Sequence, residues 1–98
     1  MAVKFGLLVT LEAQEGQGEA LATFLKNGRA IAAEEPGTVT WYAFQIDETT
    51  FGVFDTFETV EDRQDHLNGQ IPVALGEVGG ELLASPPDIR PVDIVAAL

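Results

Sequence analysis

Two neighbouring segments, 38–46 (TVTWYAFQI) and 51–58 (FGVFDTFE), carry large apolar residues on both faces of the strands they would form. Alternation puts Val39, Trp41 and Ala43 on one side of the first, with Tyr42, Phe44 and Ile46 on the other. In the second, Phe51, Val53, Asp55 and Phe57 share a face that is apolar except at Asp55, and Phe54 lies opposite. The short break at 47–50 admits only an antiparallel hairpin. A sheet that is apolar on both faces must be covered on both. That requirement governs what the rest of the chain has to build.

The 98 residues suit one domain with one core. Residues 3–12 alternate as a strand, with Val3, Phe5, Leu7, Val9 and Leu11 on its apolar face. Residues 17–35 read as a helix whose stripe is Leu21, Phe24, Leu25, Gly28 and Ile31. Pro36-Gly37 stops it. After the hairpin, Thr59 is a helix N-cap with Asp62 three residues on, and the helix runs to Asn68-Gly69 with Val60 and Leu67 as its buried stripe. A second helical piece is expected over 72–84, on Leu75, Val78 and Leu82. Gly76, Gly79 and Gly80 weaken it by roughly 1 kcal/mol each and leave space beside it. Ser85-Pro86-Pro87 breaks the chain before a last strand over 88–98, with Arg90, Val92, Ile94 and Ala96 on one face.

The order β-α-β-β-α-β is the ferredoxin-like α+β unit, a four-stranded antiparallel sheet with its helices on one side. The helices supply one cover, and no element remains to supply the other. An exposed apolar sheet marks an interaction surface. The same sheet of a second copy, across a twofold axis, is the simplest cover, so a homodimer is expected.

Composition narrows the function. The net charge of −11 repels nucleic acid and anionic lipid, and Lys4, Lys26, Arg29, Arg63 and Arg90 form no basic run. The absence of cysteine excludes disulfides, thiolate nucleophiles and cysteine-based zinc sites. Apolar runs are too short to span a membrane, and the N-terminal MAVKFGLLVTLEAQ lacks signal-peptide features, so a cytoplasmic location is expected. Gly16 and Gly18 lack the third glycine and the βαβ context of a dinucleotide fingerprint.

Three polar residues are candidates for chemistry. His66, the lone histidine, titrates near neutrality and sits at the edge of its helix's buried stripe, a candidate base. Arg63, one turn earlier, is placed to hold an anionic oxygen; the alternatives are a half-exposed histidine and an arginine paired at the surface. Asp55 interrupts an apolar face and is a second candidate base, or else an ion-pair partner of Arg90 or of a second copy. Trp41, Tyr42, Phe44 and Phe24 are candidate pocket walls, with Tyr42 able to donate a hydrogen bond; the plain alternative is core or interface packing. Periodicity does not say which sheet face meets the helices.

Glu35-Pro36-Gly37-Thr38 followed by an aromatic at Trp41 or Tyr42, the run FDTFETVEDRQDHL, and the closing LLASPPDIRPVDIV together resemble the antibiotic biosynthesis monooxygenase family over nearly the whole chain. The resemblance implies a dimeric α/β barrel with a small apolar pocket between sheet and helices in each subunit. It also implies oxidation of polycyclic phenols by molecular oxygen with no metal or flavin. Phe57 stands where many members carry tryptophan and joins the candidate substrate-binding residues. A different branch degrades haem with an asparagine, a tryptophan and a histidine. The matching positions here are about Val9, His66 and Gly76, none of which agrees, so haem degradation ranks last. The expectation is a cofactor-independent monooxygenase that turns a small aromatic phenol or quinol into a quinone, with no cofactor and no metal. The alternative is a non-catalytic small-molecule-binding or accessory domain of the same fold.

Overall fold

The computed structural model describes residues 3–98. Apolar alternation draws four strands into one antiparallel sheet: β1 (Phe5–Glu12), β2 (Thr38–Gln45), β3 (Thr50–Phe57) and β4 (Asp88–Asp93), in the order β2-β3-β1-β4. Three helices join them: α1 (Gly18–Ala33), α2 (Val60–Leu67) and α3 (Gln70–Leu82). This is the expected ferredoxin-like arrangement, with the second helical layer split in two at Asn68-Gly69.

The helices cover the face that carries Leu7, Leu11, Phe51, Val53, Asp55 and Phe57, all buried. Leu21 and Leu25 of α1 and Leu75 of α3 complete this core. Burying side chains of this size contributes roughly 1.5–3 kcal/mol each. On the opposite face Tyr42 and Phe44 are exposed, and Leu8 and Phe54 are half-buried. Tyr42 and Phe54 are direct partners across β2 and β3, and Leu8 pairs with Phe54 and Arg90. An apolar band therefore runs across the uncovered side.

Several boundaries differ from the sequence reading for local reasons. The helix expected to reach residue 35 stops at Ala33, because a residue before proline is disfavoured in helical geometry. Glu35 is thereby released from the helix. The helix expected from residue 72 starts at Gln70; Pro72 falls in its first turn, where a missing N–H breaks no internal bond. It ends at Leu82 because Leu83 is extended and bridges Ala13, while the Gln14 side chain donates to the carbonyls of Gly80 and Leu83. β4 ends at Asp93, the partner of Phe5 at the start of β1, and one further bond, from the Ile94 N–H to the Lys4 carbonyl at 2.8 Å, extends the pairing past both strand ends. Val39 does not share the covered face with Trp41, because an irregularity between Thr38 and Thr40 leaves it 49% exposed. In α2, Thr59 caps the helix by accepting from the Asp62 N–H at 3.0 Å. Its buried residue is His66; Val60 is exposed and Leu67 half-buried, so the expected stripe is not the one that packs inward.

Candidate active site

Between the covered sheet face and α3 lies a cavity of about 550 Å³. Its walls include Val9 of β1, Phe24 of α1, Trp41 of β2 and Leu75 of α3, with Ser85-Pro86-Pro87 along one side. The α3 wall is low because three lining residues are glycines. A Cβ at Gly76 or Gly80 would meet nothing within 4 Å, and one at Gly79 would meet only Leu83 Cδ1, at 3.8 Å. The space beside this helix, expected from the sequence, is part of the cavity.

Asp55 and His66 are the ionisable residues of that wall. Asp55 is held by the strand alternation that buries Val53 and Phe57 on the same face. His66 comes in from α2 and stacks at 5.4 Å from the Phe57 ring, tilted by 47°. Its Nε2 lies 2.8 Å from Asp55 Oδ2, and its Nδ1 lies 2.5 Å from Glu35 Oε1. The Asp55 contact is an ion pair by distance but not a well-aligned hydrogen bond, so both Asp55 oxygens keep acceptor capacity. Thr38 Oγ1 donates to the same Glu35 oxygen at 2.8 Å and fixes the carboxylate. Gly37 lets this loop close onto α2, since a Cβ there would overlap the Asp62 side chain.

Burial pulls the His66 pKa down, but the contacts and charges of Asp55 and then Glu35 outweigh it, and the value rises from 6.5 to about 9. At neutral pH His66 is therefore an imidazolium, held between Asp55 and Glu35. Both ring nitrogens are engaged, so the imidazole has no free lone pair for a substrate proton. The free acceptor is on Asp55, whose Oδ1 is buried and unpartnered.

Of the sequence candidates, Asp55, His66, Trp41 and Phe24 line this one cavity. Phe57 is fully buried and stacked on His66. Arg63 is not part of the wall: its guanidinium sits 5.4 Å from the Phe5 ring centre and donates to the carbonyls of Gly6 and Val92 at 3.4 and 3.3 Å. Tyr42 and Phe44 do not line this cavity; with Trp41, Lys26 and Arg29 they line a second cleft of about 490 Å³. Arg90 pairs with Asp88 at 2.9 Å, not with Asp55. Glu35 was absent from the sequence candidates. Its signals were its place before Pro36 and in the run Glu35-Pro36-Gly37-Thr38 that carries the family resemblance, and its partner is 31 residues away.

Comparison with known proteins places the fold. The NE2512 protein of unknown function from Nitrosomonas europaea is similar at 47% identity over 98% of this chain and 93% of that one, with a TM-score of 0.96. A "putative antibiotic biosynthesis monooxygenase" from the same organism matches at 16% identity over 94% of this chain and 99% of that one, with a TM-score of 0.83. Another so described, from Caulobacter crescentus, matches at 21% identity over 96% and 92%, with a TM-score of 0.81. At those identities the likeness is one of fold. No protein-family model and no curated protein matches the chain.

Proposed function

We propose that this chain, which belongs to the same family as the NE2512 protein and has the fold of the antibiotic biosynthesis monooxygenases, oxidises a small aromatic phenol or quinol with molecular oxygen to a quinone, without a cofactor. The observation that carries the reading is the apolar cavity of about 550 Å³ whose ionisable wall residues are Asp55 and His66. A chemistry in which the substrate supplies all the electrons asks only for a dry pocket, a proton acceptor and a means of holding an anion.

The residues divide those tasks. Phe24 and Trp41 pack against the ring. Asp55 accepts the phenol proton on Oδ1. His66 is a positioning residue: as a cation fixed by Glu35 it holds the Asp55 carboxylate against the cavity and offsets its charge. The phenolate passes one electron to oxygen, and the ring radical and superoxide combine at the carbon opposite the phenolic oxygen. Protonation gives a hydroperoxide. The hydrogen on that carbon then leaves as a proton, the O–O bond breaks, and water departs. A phenol with a free C–H opposite its hydroxyl thus yields a quinone and one water per O₂. A quinol at the same site yields a quinone and hydrogen peroxide.

The uncovered apolar band of Leu8, Tyr42, Phe44 and Phe54 supports a homodimer in which two sheets cover each other. A second reading, a domain that binds a small apolar ligand without turning it over, is favoured by one observation: His66 has no free nitrogen, which leaves Asp55 as the sole proton acceptor.

Oxygen uptake and quinone formation by metal-stripped protein over a panel of naphthols, anthrols and benzoquinols separate the two. Acceleration over buffer that His66→Ala largely abolishes supports the oxidation. A rate no greater than buffer for every compound rejects it in favour of the binding domain.

A further inference from the structure

Buried polar groups in folded proteins nearly always find a partner. Two side chains of the cavity wall break this rule: among the described residues the buried Trp41 indole Nε1 has no acceptor and the buried Asp55 Oδ1 has no donor. Trp41 and Asp55 are direct partners across β2 and β3. Opposed residues on one face of an antiparallel pair have Cβ atoms about 4.5–5.5 Å apart. One orphan can only donate and the other, as a carboxylate, can only accept. Packing gives no reason for such a pair, since phenylalanine and leucine would fill the same space with no polar atom left over.

A ligand that satisfies both atoms must accept from Trp41 and donate to Asp55. A hydroxyl does both with one oxygen. An ether accepts but does not donate. An ammonium donates but leaves the indole unpaired. A carboxylate or phosphate would enter beside the acidic side chains Asp55 and Glu35, in a chain of net charge −11.

We propose that Trp41 Nε1–H and Asp55 Oδ1 form a matched donor–acceptor pair that selects an uncharged, hydroxyl-bearing aromatic ring, with Trp41 as the specificity-determining residue. The ring class rests on the oxidation reading above. The hydrogen-bond pattern rests on the two unpartnered atoms alone. Once the hydroxyl proton has moved to Asp55, the indole N–H still faces the same oxygen and holds it as the anion. That is the task the sequence suggested for Arg63, which the fold turns away to backbone carbonyls.

The test is anaerobic calorimetry with 1-naphthol, 1-methylnaphthalene and 1-naphthoate, on wild type and Trp41→Phe. Wild type should bind 1-naphthol at least about tenfold tighter than 1-methylnaphthalene, which leaves both buried atoms unpaired, and should show no heat with 1-naphthoate. Trp41→Phe should lose about tenfold for 1-naphthol, the value of one net hydrogen bond, and under about twofold for 1-methylnaphthalene. Equal binding of the three probes, no binding of any, or an unchanged 1-naphthol affinity in a folded Trp41→Phe overturns the proposal. If far-UV circular dichroism shows the variant unfolded, the wild-type series decides by itself. Selective anaerobic binding without aerobic turnover upholds this inference and removes the oxidation reading. Turnover with unselective binding does the reverse.

Discussion

Replacing His66 with glutamine keeps a polar side chain of similar reach but removes the titrating cation. His66 is buried between Asp55 and Glu35, with a pKa raised from 6.5 to about 9. A group whose folded pKa lies above its unfolded one adds stability that is fully present below the unfolded value. That stability is lost as pH rises through the folded value. The window here runs from about pH 6.5 to about 9. At 1.36 kcal/mol per unit, the shift corresponds to about 3 kcal/mol at most, of which about 2–3 kcal/mol disappears between pH 7 and pH 10. The assay is urea unfolding followed by the fluorescence of Trp41, the single tryptophan. Lysine and tyrosine also titrate towards pH 10, so the quantity that matters is the stability difference between wild type and His66→Gln at each pH. It should be largest at pH 6–7 and shrink by about 2–3 kcal/mol by pH 10. A difference that stays flat from pH 6 to pH 10 would refute the ion-pair account of this residue. Because the chain has one histidine, an NMR titration of its ring gives a direct second reading, with a midpoint expected near 9.

Four other outcomes can be checked. Asp55→Asn should lower the quinone-forming rate by about a hundredfold or more, as expected for loss of a positioned base, and should move the His66 NMR midpoint below that of wild type. Tyr42→Glu or Phe54→Glu should turn a dimer into a monomer in sedimentation equilibrium, with far-UV circular dichroism unchanged. At Gly80, alanine meets open space and improves helix propensity, so Gly80→Ala should raise stability by up to about 1 kcal/mol in urea. Gly76→Leu, facing the same cavity, should keep the fold but abolish 1-naphthol binding in calorimetry.

The sheet was legible because strand alternation has a period of two that no helix imitates, and Thr59 announced α2 through its capping oxygen. The glycines of α3 announced a void. Two things were hidden. Both faces of the hairpin are apolar, so alternation alone does not tell the covered face from the open one. Alternation therefore does not tell that of Trp41, Tyr42 and Phe44 only Trp41 reaches the cavity with Asp55 and His66, while all three line a second cleft. The hydrophobic count on α2 pointed to Val60 and Leu67, yet His66 turns inward because two carboxylates from distant segments compensate its burial. Glu35 reaches it only because Pro36 ends α1 early and Gly37 lets the loop approach. Such a pairing depends on three elements meeting in space, and no local pattern records it.

Oxygenation in the cavity beside Asp55, driven by the substrate's own electrons, can be followed by incubating metal-stripped protein with 1-naphthol under ¹⁸O₂, with mass spectrometry of the quinone and a count of oxygen consumed. One labelled oxygen per quinone, one O₂ consumed per quinone, and loss of the product in Asp55→Asn are expected. A quinone without label, or product formed equally by Asp55→Asn, would contradict that chemistry.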